Sequence, residues 1–333
     1  MHIPNDHIYQ EAHLSPMTVA EINELTKAAR ARPPSGDQTY VLVADGEDPW
    51  VVAHQGHLYY CTVDRLKRKI LVAKFTSLSE MATAELVQVW PDKRGTTREF
   101  VEIWSPELQF IDGRWYIYFA LYNVRNGAER LFVLEGLADH PQGAYEFQGQ
   151  LQIPTDRWAI DGSVLRTDNG ELYFIWSGWE GLTNTSQNIY IARMRDPVTI
   201  ASDRVCISRP EYDWEKQGYP HVNEGPQALA RHGRLFIIYS ASGSWTDDYC
   251  LGQLTYLGGD VLDSASWRKE PAPVFSKTAT IFGPGHASFV EIDGQDYIIY
   301  HATRSSRAGW ARQIRAKPFS WHADGSPNFG EPA

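Results

Sequence analysis

Three acidic residues of this chain stand where carboxylates are uncommon. Asp48-Pro49, Asp161-Gly162 and Glu224-Gly225-Pro226 each set an acid against a glycine or proline at the head of an apolar stretch. Taken singly, such residues more often satisfy backbone N–H groups in turns. Three in equivalent positions call for another explanation, because like charges packed together raise the energy unless a proton, a metal or a substrate compensates. The chemistry that uses such a set is acid–base cleavage of an acetal. One carboxylic acid protonates the leaving oxygen while a carboxylate acts from the opposite face; in the inverting form it activates a water, with the two groups roughly 6.5–9.5 Å apart. A third carboxylate beside the acid raises its pKa and keeps it protonated.

The elements that must position these residues are repeated. Five segments share one plan of strand, tight turn and aromatic strand: 48–63, 105–120, 161–178, 224–241 and 285–302. Their turn glycines, Gly56, Gly113, Gly170, Gly233 and Gly294, recur at intervals of 57, 57, 63 and 61 residues. Asp-Gly and Asn-Gly at three of these turns favour two-residue primed hairpins. A third strand follows in each unit (70–75, 131–135, 189–194, 250–256, 311–317), and a more polar fourth in four of them (86–90, 145–153, 204–208, 267–275). Four strands in each of five units predict an all-β, five-bladed β-propeller; solenoid coils have shorter periods and usually carry helices. The fifth unit takes its fourth strand either from the last residues or from 40–44. A helix over 17–32 stands outside the repeats, so residues 1–38 are expected to form an N-terminal extension and 39–333 the propeller domain.

The first strand of every blade lines a propeller's central channel. Eight or nine residues before each turn glycine lie Asp48, Ser105, Asp161, Glu224 and Gly285-His286. These positions are therefore expected at one mouth of the channel, with the three carboxylates together.

Composition narrows the class. The chain has 333 residues, 31 Lys plus Arg against 41 Asp plus Glu, and a net charge of −10, with no basic block to neutralise phosphates, so no nucleic-acid partner is expected. No apolar run of 18 residues is present, so no membrane-spanning helix is expected. The first residues show no signal-peptide pattern, and Cys61, Cys206 and Cys250 fall at unrelated spacings, as three unpaired thiols would; both point to the cytoplasm.

From about residue 40 to the end, the chain resembles glycoside hydrolase family 43, the five-bladed propeller enzymes of arabinan and xylan breakdown. The resemblance rests on Asp48-Pro49, on Trp104-Ser105-Pro106-Glu107 (W-A-P-E with Ser for Ala), on Ile160-Asp161-Gly162-Ser163, on Glu224-Gly225-Pro226 and on Gly283-Pro284-Gly285-His286, in order and in one phase of the repeat. It implies that Asp48 is the general base, Asp161 the modulator of the acid's pKa, and Glu224 the proton donor. It further implies that His286 helps hold a metal, commonly Ca²⁺, often through water, and that Arg315 contacts sugar hydroxyls. Trp50, Trp104 and Trp179 are candidate sugar-stacking rings, each as readily core residues. The activity implied is inverting release of terminal α-L-arabinofuranose from oligosaccharides, without an organic cofactor. A β-D-xylosidase of the same family and a non-catalytic sugar-binding propeller are the alternatives. The nucleophile motif of fructan-cleaving propellers, the sialidase Asp-box and nucleotide-binding fingerprints are absent.

Overall fold

The computed structural model describes residues 41–91, 100–123, 128–231 and 233–333. The helix expected over 17–32 lies outside them. The described chain is all-β apart from three single-turn 3₁₀ segments.

A short strand, β1 (Val41–Val43), precedes the first unit. Unit one is the antiparallel sheet β2 (Trp50–His54), β3 (His57–Val63), β4 (Ile70–Phe75) and β5 (Leu86–Trp90). Unit two is β6 (Phe100–Ile111), β7 (Arg114–Asn123), β8 (Ala128–Gly136) and β9 (Tyr145–Gln150). Unit three is β10 (Ala159–Arg166), β11 (Leu172–Trp179) and β12 (Ser186–Asp196), with β13 (Thr199–Ile200) and β14 (Val205–Ser208) both paired to β12. Unit four is β15 (His221–Arg231), β16 (Arg234–Ala241), β17 (Cys250–Tyr256) and β18 (Trp267–Lys269); a short parallel pairing of β12 with β15 joins it to unit three. Unit five is β19 (Phe282–Ile292), β20 (Gln295–Thr303) and β21 (Arg312–Pro318). Its fourth strand is β1, which pairs antiparallel with β21, so the segment before Asp48 closes the unit. A small hairpin, β22 (Ser320–Trp321) and β23 (Pro327–Asn328), ends the order.

Three turns take the primed form, with positive φ at both central residues: Gln55-Gly56 (48° and 73°), Asp112-Gly113 (49° and 83°) and Asp293-Gly294 (52° and 81°). Asn169-Gly170 departs from the expectation. There the loop runs from Thr167 to Glu171, closed by Thr167 N–H to the Glu171 carbonyl, and only Gly170 is left-handed.

The inner strands, such as β11 and β17, are buried on both faces, and their apolar residues divide accordingly. Five buried clusters lie between units one and two, two and three, three and four, four and five, and five and one. The first strands touch in the same cyclic order: β2 with β6, β6 with β10, β10 with β15, β15 with β19, and β19 with β2. That contact places the heads of five strands from distant parts of the chain around one point.

Candidate active site

Each of these strand heads carries the same backbone feature. Asp48, Ser105, Asp161, Gly225 and His286 have φ of 46°, 42°, 53°, 55° and 48°. Where the pairing register is resolved, it shifts just beyond, between Trp104 and Glu107, Ile160 and Ser163, Glu224 and Gln227, and Gly285 and Ser288. A left-handed conformation costs a non-glycine residue on the order of 1 kcal/mol, and bulges of this kind re-aim side chains. Here four polar side chains are turned towards one another. Ser105 Oγ donates to Asp48 Oδ2 at 3.1 Å, and His286 Nδ1 lies 3.2 Å from Asp48 Oδ1.

Glu224 is out of phase by one residue, since Gly225 takes the left-handed position. The glycine is needed twice over: for its φ, and because a Cβ there would sit 3.3 Å from the His286 ring. The offset leaves the Gly225 N–H free to donate to Asp161 Oδ2 at 2.9 Å, which ties the two acidic strand heads together.

The environments push the carboxylates apart in pKa. Burial alone would raise Asp48, but His286, the His301 ring and the Arg312 guanidinium together hold it well below the usual range. Arg312 Nη1 is 3.4 Å from its Oδ1. Glu224 is only 8% exposed and is pushed up to about 7, by burial first and then by the Asp161 charge. Asp161 is raised by burial and by Asp48, against the opposing pull of His286 and the Gly225 N–H. His286 is raised, because the attraction of Asp48, Asp161 and Glu224 outweighs its desolvation. His301 is held down to about 3 by burial and Arg312, and is neutral.

The structure adds residues that the sequence left without a role. Glu107, the acid of Trp104-Ser105-Pro106-Glu107, is 1% exposed, and neither carboxyl oxygen has a hydrogen-bond partner. Burial, then the charges of Asp161 and Asp48, raise its pKa well above the ordinary value. Tyr249 donates its hydroxyl to Glu224 Oε1 at 2.8 Å. Ser105 was visible as a register position, and His301 and Arg312 carry no motif at all.

Two expected site residues are placed elsewhere. Trp50 is 6% exposed within the cluster between units one and two, its indole N–H bonded to the Leu108 carbonyl at 2.6 Å. One pleat beyond Asp48, its ring points between sheets. Arg315 lies inside β21 opposite Tyr300, and its Nε donates to the Ala333 carbonyl at 2.7 Å. Arg312, three residues nearer the mouth end of the strand, is the arginine that reaches Asp48. Trp104 and Trp179 are half-buried near the strand heads. Trp104 bonds Glu102 Oε2 at 3.0 Å beneath the Lys67 ammonium, and Trp179 stacks on Trp158 at 5.0 Å and 12°.

For the expected Ca²⁺ the donors do not fit a direct site. Among the described residues, no group of three or more His, Cys, Asp or Glu side chains is arranged to hold a metal. His286 faces Asp48, whose carboxylate already meets Arg312. Ca²⁺ takes six to eight oxygens, and a single imidazole supplies none.

One carboxyl group with a pKa raised to about 7 and another held well below the usual range, both at strand heads of an all-β chain, are the kind of pair that acid–base glycosidases use. The chain belongs to glycosyl hydrolases family 43, whose sequence pattern matches residues 39–327. It is 36% identical over 315 residues to an extracellular exo-α-(1→5)-L-arabinofuranosidase of Streptomyces avermitilis, covering 90% of this chain and 64% of that protein. A protein of the same name from Streptomyces chartreusis is 34% identical over 82% of this chain and 85% of its own length. The crystal structure of an α-L-arabinofuranosidase from Lactobacillus brevis superposes with a TM-score of 0.80 at 34% identity, covering 89% of this chain and 98% of the other. The extracellular naming of the two Streptomyces proteins overturns the cytoplasmic assignment. The three cysteines are indeed unpaired, but two are buried in strands, where a reduced thiol tells nothing of compartment.

Proposed function

We propose that the chain is an inverting exo-α-L-arabinofuranosidase acting on arabinan- or arabinoxylan-derived oligosaccharides. The observation that carries the mechanism is the split between Asp48, held well below the carboxylate range, and Glu224, held at about 7. Asp48 takes a proton from a water as that water attacks the anomeric carbon. The bond to the leaving oxygen breaks, and Glu224 gives that oxygen its proton. Asp161 stays at the Gly225 N–H and keeps Glu224 protonated. The names of the Streptomyces and Lactobacillus relatives support arabinofuranose as the sugar.

The rim supports release of single sugars. Trp310, 55% exposed, packs edge-on to Trp245 at 6.3 Å and bonds Ser244 Oγ at 3.3 Å, and Arg312 Nη2 reaches the Ser244 carbonyl at 2.9 Å. Asp247 holds the Arg307 N–H at 2.7 Å and Ser306 Oγ at 2.5 Å, locking loops 242–249 and 304–311 together beside Asp48. A fixed wall there closes one side of the site.

The cyclic order of strand contacts and of the five clusters supports one five-bladed propeller over 39–333, with 1–38 as an extension. Calcium is carried as a proposal in one form only: an ion held through water at His286, on which no step above depends.

The test is product analysis on linear arabinan with NMR of the first-formed anomer. Arabinose from the start, with inverted configuration, is expected. Early arabinobiose would refute the exo reading, a retained anomer the mechanism, and release of xylose from xylobiose without arabinose the sugar.

A further inference from the structure

The proton donor and the base are far apart in sequence, yet one buried side chain touches the surroundings of both. Tyr249 follows the rim loop of unit four and is fully buried. Its hydroxyl donates to Glu224 Oε1 at 2.8 Å. Its ring lies flat on the His301 imidazole, at 5.4 Å between centroids and 13° between planes. His301 is 1% exposed, and its Nδ1 is 3.2 Å from both the backbone nitrogen and Oδ1 of Asp48. The chain of contacts runs from acid to base without a gap: Glu224, Tyr249, His301, Asp48.

The backbone is shaped around this ring. A Cβ at Gly285 would overlap Tyr249, and one at Gly283 would lie 3.7 Å from its Cβ. Gly285 of Gly283-Pro284-Gly285-His286 thus does more than bring His286 to the site; it leaves the space that the Tyr249 ring fills.

We propose that Tyr249 is a positioning residue for the reaction, fixing Glu224 through its hydroxyl and Asp48 through His301. This rests on the assignment of Glu224 as the acid. By occupying Oε1 the hydroxyl leaves Oε2 to carry the transferable proton; among the described residues, no hydrogen bond to Oε2 is found. The same bond tunes the acid, because a donor to a carboxylate binds the charged form more strongly than the neutral one. Glu224 also faces Asp161, His286 and Asp48, and Tyr249 faces Arg312, Asp48 and Ser240; a phenylalanine at 249 leaves all of these in place. Tyr249 itself stays protonated, its pKa raised well above the ordinary value by burial and by Glu224.

Tyr249→Phe keeps the ring on His301 and removes only the hydroxyl. The pH limb that reports Glu224 is expected to move up by about one pH unit. Turnover of an arabino-oligosaccharide is expected to fall by about tenfold or more, and that of an aryl glycoside with a good leaving group to change little. Tyr249→Ala also removes the support of His301, and activity on both substrates is expected to fall. A melting curve establishes that each variant is folded. A folded Tyr249→Phe enzyme with the wild-type limb and the wild-type ratio of the two activities overturns the inference, as does a limb that moves down. Glu224→Gln, measured alongside, separates this from failure of the underlying assignment. If Glu224→Gln lowers both substrates equally, the acid lies elsewhere, whatever Tyr249→Phe shows.

Discussion

Asp161→Asn tests how the acid is kept protonated. Glu224 stands at about 7 against an ordinary 4.5, with burial the larger cause and the Asp161 charge the next. Asparagine is nearly isosteric, leaves burial unchanged and still offers an oxygen to the Gly225 N–H, so the substitution removes the charge and little else. Assigning Asp161 somewhat less than half of the rise, the acid falls by about one pH unit, to roughly 6. At pH 7 the protonated fraction then drops from about one half to about one tenth, a loss of about fivefold. At pH 5 both enzymes hold Glu224 almost fully protonated, and the loss from this cause shrinks to about 1.1-fold. The assay is kcat/KM on an arabino-oligosaccharide from pH 4.5 to 8, where the limb reports the coupled cluster as a whole. Any loss through altered geometry multiplies the rate equally at every pH, so the diagnostic quantity is the change in the ratio. A ratio flat across the range, or a limb that stays in place, refutes the account of Asp161 as an electrostatic partner of the acid.

Asp48→Asn is expected to abolish turnover of oligosaccharide and aryl glycoside alike, since both need the water deprotonated; retained activity on either removes Asp48 as the base. Gly225→Ala meets both a left-handed φ of 55° and the His286 ring, and a loss of about 1–2 kcal/mol of stability is expected by denaturant melting; an unchanged midpoint would show that the strand head relaxes. Glu107, with its pKa raised in the folded protein, contributes stability that is full below the unfolded carboxylate range and fades as pH rises through the folded value. Glu107→Gln is therefore expected to melt with a smaller decline between pH 5 and 8 than the parent, and an identical decline would mean that Glu107 ionises freely. Chelation is expected to lower the rate or the melting temperature, with Ca²⁺ restoring it, if a water-held ion sits at His286; no change in either discards the ion.

The repeat and its phase were legible in the sequence because they are local. A tight turn needs glycine at a fixed place, and strands flanking it must be apolar and aromatic, so the five units and most of their strands stood out from 50 to 318. β4, β5 and β17 fall on their expected residues. Equal phase also grouped Asp48, Asp161 and Glu224, because five similar strands packed side by side bring equivalent residues to one end. Tertiary structure alone decided what depends on contact between units. Only there does β1 rather than the C-terminus complete unit five. Trp50 and Arg315, plausible by type, are taken by the core and by the Ala333 carbonyl. Arg312, His301 and Tyr249 come to the acids from second strands and the heads of third strands, where no spacing rule marks them, while Glu107 stood in a motif whose spacing said nothing of its burial. The pKa values belong to this level too. A carboxylate's chemistry is set by burial and by the charges facing it, and those neighbours are 62 and more residues away along the chain for every pair among Asp48, Asp161, Glu224 and His286.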